Sequence, residues 1–325
     1  MRGMKPLVLG YWADWHPALP PEKIDFSLYT HLCHAFSLVD EGGLLKPLDD
    51  EAAAVRLTWL GKKKRVPVLL SLGGGSNSAL MSRVISTPAR VEALADAVMV
   101  RVKKLGYSGV DVDWEGIQTR TQQMHLEALI LALRMRLPRP YLLSQAVGGS
   151  RWANEFVNTK NLLPHVDFLN VMTYDWAGPW SETAGHNAPQ SFCQSAIEFW
   201  NGKLGWPKSK LNLGIPLYGR GFQASAPGEK VTKSEYERSY VPYTDVRKLE
   251  KSGWTRKLDE AESVPYLYKP GGGELVGYED EVSAQKKGAW AKLQGLGGIF
   301  FWEIHEDFDG KTNPLVRAAR TGLLH

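Results

Sequence analysis

The sequence has 325 residues, 43% hydrophobic and 23% charged, with a formal net charge of +4. That composition supports a full core and excludes a disordered chain, and the length suits two ordinary domains or one large α/β barrel with an insertion. No apolar run approaches the ~18 residues of a membrane span, and the slight basic balance does not point to nucleic acid, so the chain reads as soluble, with neither membrane nor nucleic acid as a partner. Eight short apolar runs read as strands, at 7–12, 32–39, 66–72, 109–114, 142–147, 168–174, 211–217 and 298–302. Several are nearly continuous, as strands covered on both faces should be. The basic run Lys62-Lys63-Lys64-Arg65 reads as a cationic helix end. After Thr87-Pro88, a cap and a first-turn proline, Val91, Leu94, Ala95, Val98, Val102 and Leu105 form one helical face that stops at Gly106. Further helices are predicted over 121–137 and 190–200, and from Glu281 onward.

Strand and helix alternating eight times predict a closed (β/α)8 TIM barrel. An open doubly wound sheet is the alternative, but Trp12-Ala13-Asp14-Trp15 stands where a dinucleotide fingerprint would follow the first strand. The rhythm breaks between Gly219 and Glu281, over about sixty residues, which is too long for an ordinary loop. Alternating runs at 264–269 and 274–278 suggest a small α+β insertion on the functional face. The expected division is a barrel over 1–220 and 279–325 and an insertion over 221–278.

Cys33 and Cys193 read as buried free thiols, which excludes a disulfide framework. Neither His31 and His34 on the second strand nor His186 in a later loop suggests a metal site; His186 reads as a loop-stabilising residue. The Gly73-Gly74-Gly75 run lacks the Lys-Ser/Thr of a phosphate loop. No metal and no cofactor are expected. No leader with a basic start and apolar centre precedes the first strand, so the sequence reads as a mature chain or one kept inside the cell. The 12 Trp exceed ordinary usage and suit core, interface or sugar-stacking roles alike.

The chemistry concentrates in Gly109-Val110-Asp111-Val112-Asp113-Trp114-Glu115. The strand period puts Asp111, Asp113 and Glu115 on one side and Val110, Val112 and Trp114 on the other. Valine and tryptophan suit the helix layer, so three acids point along the barrel interior, with Glu115 at the C-terminal end where barrel sites are built. Crowded, shielded carboxyls raise at least one pKa and keep a proton near neutral pH, as glycosidic bond cleavage requires.

The sequence resembles the family 18 glycoside hydrolases, the chitinases. Their Asp-Gly-x-Asp-x-Asp-x-Glu signature corresponds to Ser108 through Glu115, with Ser108 in place of the first Asp. Ser71-Leu72-Gly73-Gly74 is similar to a second motif, and Met172-Thr173-Tyr174-Asp175 to a third. Tyr218-Gly219-Arg220 follows the seventh strand, Trp302 ends the eighth, and the likeness starts at Gly10-Tyr11-Trp12. The Ser108 departure bears on the strand's entry more than on catalysis.

The resemblance implies a substrate-assisted, retaining hydrolysis of β-1,4-linked N-acetylglucosamine polymers, chitin and its oligosaccharides. Glu115 is then the acid and base, Asp113 orients the acetamido group, Asp111 shares a proton with Asp113, and Tyr174 holds the acetamido oxygen. Trp302 floors the central subsite, Tyr11 and Phe36 line it, and Met172 shapes the acetamido pocket. Asp175, Trp176, Tyr218 and Arg220 are further substrate-binding candidates, as are Ser71, Gly73 and Gly74. Trp15, Trp152 and Trp180 are loop aromatics able to extend the groove. An endo-β-N-acetylglucosaminidase on other glycans and a non-catalytic chitin-binding lectin are the alternatives; such lectins typically lose the terminal acid. The family implies a secreted protein, and the chain is expected to act as a monomer.

Overall fold

The computed structural model describes residues 5–150, 154–231 and 237–325. In chain order its elements are β1 (Leu7–Ala13), β2 (His31–Ser37), α1 (Glu51–Lys64), β3 (Val68–Gly73), α2 (Gly75–Val84), α3 (Pro88–Leu105), β4 (Gly109–Asp113) and α4 (Arg120–Arg136). There follow β5 (Leu142–Gly148), α5 (Thr159–Leu162), β6 (Phe168–Met172), α6 (Gln190–Glu198), β7 (Leu211–Pro216), β8 (Tyr218–Phe222), β9 (Val241–Pro242) and α7 (Tyr243–Lys251). The chain ends with β10 (Thr255–Asp259), β11 (Val264–Tyr268), β12 (Leu275–Gly277), α8 (Glu281–Leu293), β13 (Gly298–Trp302) and α9 (Pro314–Leu324).

The strands β1 to β7 and β13 close into a barrel in which neighbours run parallel. The expected (β/α)8 barrel is therefore the observed fold. Local signals explain its helices. Thr87 accepts a hydrogen bond from the Arg90 N–H, Pro88 fills the first turn, and Gly106 ends α3 with a left-handed φ of 76°. Thr119 and Gln122 cap α4 reciprocally. Lys62, Lys63 and Lys64 occupy the last turn of α1, where cations oppose the helix dipole. Among the described residues no helix is long and apolar enough to cross a membrane.

Two apolar layers position the site. Val110, Val112 and Trp114 pack with the helices. Leu9, Tyr11, Cys33, Leu69, Phe168 and Phe300 fill the barrel interior. Both cysteines are buried free thiols. Between β7 and α8 lies a five-stranded sheet in the order β10-β11-β12-β8-β9, with α7 beside it. Its first strand starts at Tyr218, earlier than the sequence suggested. The Leu217 N–H still bonds the Trp302 carbonyl, but Tyr218 and Gly219 pair with β9. Strand β6 likewise stops at Met172, short of the expected 174, and Asp175 turns the chain away with φ at 61°.

Candidate active site

Strand β4 carries the three acids as its period requires. Asp111 is wholly buried among interior residues of other strands. Its Oδ2 accepts from the Tyr11 hydroxyl at 2.8 Å and the Ser71 hydroxyl at 2.9 Å. Its Oδ1 accepts from the Ser144 hydroxyl at 2.6 Å and the Asn170 amide at 3.4 Å. Burial pushes the Asp111 carboxyl up, and these four donors oppose that shift.

Asp113 lacks such support. Its Oδ1 is buried with no hydrogen-bond partner. Burial first, then the charges of Glu115 and Asp111, push its carboxyl well above the ordinary range. Glu115 follows just beyond the strand, where its N–H bonds the Ser78 hydroxyl at 2.8 Å. Burial, and after it the charge of Asp175, push the Glu115 carboxyl up to about 7. Near neutral pH this group both holds and releases a proton readily, which suits an acid that must later act as a base.

The acids open into a cavity of about 500 Å³ lined by Asp113, Glu115, Met172, Tyr174 and Asp175. Tyr11, Phe36, Tyr218, Arg220 and Trp302 also line it. Phe36, Trp302 and Trp15 form an aromatic cluster, with the Phe36 ring centroid 5.4 Å from Trp302 and 5.8 Å from Trp15 and the two indoles 6.5 Å apart. The wall is thus a broad aromatic face of the kind that meets the apolar face of a sugar. In the same lining, Asp175 Oδ1 accepts from the Tyr218 hydroxyl at 2.7 Å and from Arg220 Nε at 2.9 Å. The Arg220 guanidinium lies 5.1 Å from the ring centres of Trp180, Tyr218 and Tyr240. A second cavity of about 490 Å³ shares Gly75, Glu115, Ala146 and Met172 with the first. Glu115 therefore stands between two open volumes.

Several expected contacts take other forms. Ser71 does not line the cavity; it is buried and holds Asp111. Gly73 and Gly74 act through the backbone. A Cβ on Gly73 would fall 2.4 Å from the Asp113 carbonyl oxygen, and one on Gly74 would fall 2.7 Å from the Phe36 ring. Trp176 is 57% exposed, packs at a tilt against the Phe192 ring, and lines a separate cleft with Trp180 and His186. Trp176 does not line the cavity that holds the acids. Trp152 lies outside the described residues. Ser108 sits at the opposite end of β4, beside His31 and Arg65. His186 ties its loop to β10 through Asp259 at 2.9 Å.

Sequence reasoning missed Asp14, Asp49, Gly75, Ser76 and Tyr240, all in the cavity lining. Gly75 was legible in part: it extends the Gly73-Gly74 pair, and a Cβ there would lie 3.0 Å from Glu115 Oε1. Tyr240 carried no local signal, because its stacking on Tyr218 at 4.3 Å exists only once β8 and β9 meet.

The model of the glycosyl hydrolases family 18 matches residues 7–307. The chain belongs to this family. Chitinase 1 of Aphanocladium album is 26% identical over 96% of this chain and 83% of its own length. Two other curated relatives are longer, and the chain spans 56% and 44% of them. The Ostrinia furnacalis group IV chitinase superposes with a TM-score of 0.90 at 26% identity, covering 99% of this chain and 100% of that one. A chitinase-like agglutinin from Robinia pseudoacacia also superposes, with a TM-score of 0.84 at 27% identity over 97% of this chain and 99% of that one. This family-18 scaffold is thus shared by chitinases and by an agglutinin.

Proposed function

We propose that this family 18 chain hydrolyses β-1,4 linkages of chitin and chitin oligosaccharides with retention of configuration. The observation that carries this reading is the pairing of Glu115, titrating at about 7, with Asp113, whose buried Oδ1 has no partner in the protein. The first is an acid able to give up a proton at neutral pH. The second wants a donor from outside, and an acetamido N–H is one.

In the proposed reaction the Glu115 carboxyl gives its proton to the glycosidic oxygen. The bond from that oxygen to the anomeric carbon breaks, and the leaving chain departs as an alcohol. The carbonyl oxygen of the sugar's own acetamido group bonds the anomeric carbon from the opposite side, forming an oxazolinium ion. Asp113 accepts the acetamido N–H and carries the countercharge. Asp111, held by four donors, takes the proton it shares with Asp113, so that the pair carries a single charge and Asp113 can bear it toward the acetamido group. Tyr174, in the same cavity, holds the acetamido oxygen in line. Water then attacks the anomeric carbon, loses its proton to the Glu115 carboxylate, and restores the starting enzyme. Asp175 does not serve as the nucleophile in this scheme, because the substrate's own acetamido oxygen does; its Oδ1 is held by Tyr218 and Arg220, and the residue meets a substrate hydroxyl or leaving-group atom instead. Open volume on both sides of Glu115 suits a chain that continues past the cleaved bond.

The test is a time course on a chitin hexamer, reading product lengths and the first-formed anomer for wild type and Glu115→Gln. Short β-anomeric products from wild type and none from the variant support the proposal. An α-anomer first would overturn the retaining scheme. Binding of the hexamer by both proteins without cleavage would make the chain a lectin, as the agglutinin's likeness allows.

A further inference from the structure

We propose that His16, Glu303 and Glu306 form a divalent-cation site, suited to Zn2+, at the seam where the barrel closes. Strands β1 and β13 are paired neighbours. The loops leaving their C-terminal ends bring His16 against the two glutamates. The coordinating atoms of the three side chains all lie within 4.8 Å of one another. His16 Nε2 stands 3.4 Å from Glu303 Oε1. Two ligands on a tetrahedral ion with bonds of about 2.0–2.1 Å are separated by about 3.4 Å.

A second observation points to a ligand. Glu303 Oε1 and Glu306 Oε2 are buried and accept no hydrogen bond, and the two residues are only 1% and 6% exposed. Their other oxygens are already held. Glu303 Oε2 accepts from the His305 backbone N–H at 3.1 Å and from His305 Nδ1 at 2.6 Å. Glu306 Oε1 accepts from the Tyr240 hydroxyl at 2.7 Å. Each carboxyl therefore has one oxygen fixed by a hydrogen-bonding neighbour and one that accepts no hydrogen bond, the usual disposition of a coordinating carboxylate and its outer partner. A cation held among these two unpartnered oxygens and the imidazole nitrogen would satisfy both carboxyls at once.

One imidazole nitrogen with two carboxylate oxygens suits Zn2+ better than Ca2+ or Mg2+, which favour all-oxygen shells. The His16 side chain is 41% exposed, which leaves a path for the ion and for waters that complete its shell. The site also braces the cavity wall. His16 follows Trp15, Glu303 follows Trp302, and Glu306 holds Tyr240, and all three aromatics line the cavity.

The experiment is calorimetric titration of Zn2+ into the full chain after chelator treatment, for wild type, His16→Ala and Glu306→Gln. Wild type should bind one ion per chain with a raised Tm. Each variant should bind at least about tenfold more weakly, and excess Mg2+ should not compete. Absence of saturable one-to-one binding would overturn the proposal. So would wild-type affinity in both variants, which would move the ion to other ligands. If Glu306→Gln fails to unfold cooperatively, His16→Ala decides alone, because His16 lies at the surface.

Discussion

Replacing Glu115 by Gln keeps the side chain's shape and removes one ionisable group, so its effect on stability reports the carboxyl's environment directly. In the folded chain that carboxyl titrates at about 7 instead of 4.5, because burial, and then Asp175, penalise its charge. Between these two values the folded state holds a proton that the unfolded chain has already released. Stability therefore falls as pH rises through this window and levels off above it. The displacement corresponds to at most about 3 kcal/mol. Asp113, Asp175, Tyr174 and Arg220 also face the cavity and remain in both proteins. Urea unfolding of both at pH 4 and pH 8 should then show the variant gaining up to about 3 kcal/mol over wild type between the two conditions. The same substitution should cut kcat by about 10²–10⁴-fold, the usual worth of a positioned acid. A difference in stability that is flat with pH, or that runs the other way, would refute the account of Glu115.

Asp175→Asn removes the charge that helps hold Glu115 high, so the alkaline limb of kcat/KM should move to lower pH; an unmoved limb would separate the two groups electrostatically. Trp302→Ala should weaken chitin-oligosaccharide binding by roughly 1–3 kcal/mol, read by titration calorimetry; unchanged affinity would make it a packing residue. Gly74→Ala should destabilise the fold by about 1–3 kcal/mol in urea, because φ there is 91° and the new methyl meets the Phe36 ring. Wild-type stability would mean that Phe36 gives way freely.

The barrel was legible because its signals are local. The apolar face of α3 was readable residue by residue, down to its Thr87 cap and Gly106 stop. The three acids were legible because the strand period alone puts them on one side, and Asp111 duly meets interior partners. What escaped depended on distant segments meeting. Ser71 looked like a substrate contact, but which way its hydroxyl turns depends on Asp111 across β3 and β4. Trp176 is a candidate for its place after Asp175, and only the folded loops show that it lines a cleft with Trp180 and His186 rather than the acids' cavity. His16 and the two glutamates lie at opposite ends of the sequence and share no spacing that would signal a common site.

The partners of Asp111 bear on how the barrel can be assembled. They come from β1, β3, β5 and β6, so they straddle any cut through the middle of the chain. A half-barrel made of β1 to β4 would supply Tyr11 and Ser71 to one oxygen and nothing to the other. It would have to leave that oxygen bare in an apolar interior, at about 1–3 kcal/mol or more, or hydrate it and open the layer around it. The complementary half would carry Ser144 and Asn170 with no acid to bind. The acid at the root of the site thus acts as a lock against modular splitting: halves exchanged with another barrel would need a matching carboxyl and matching donors at this level before they could close.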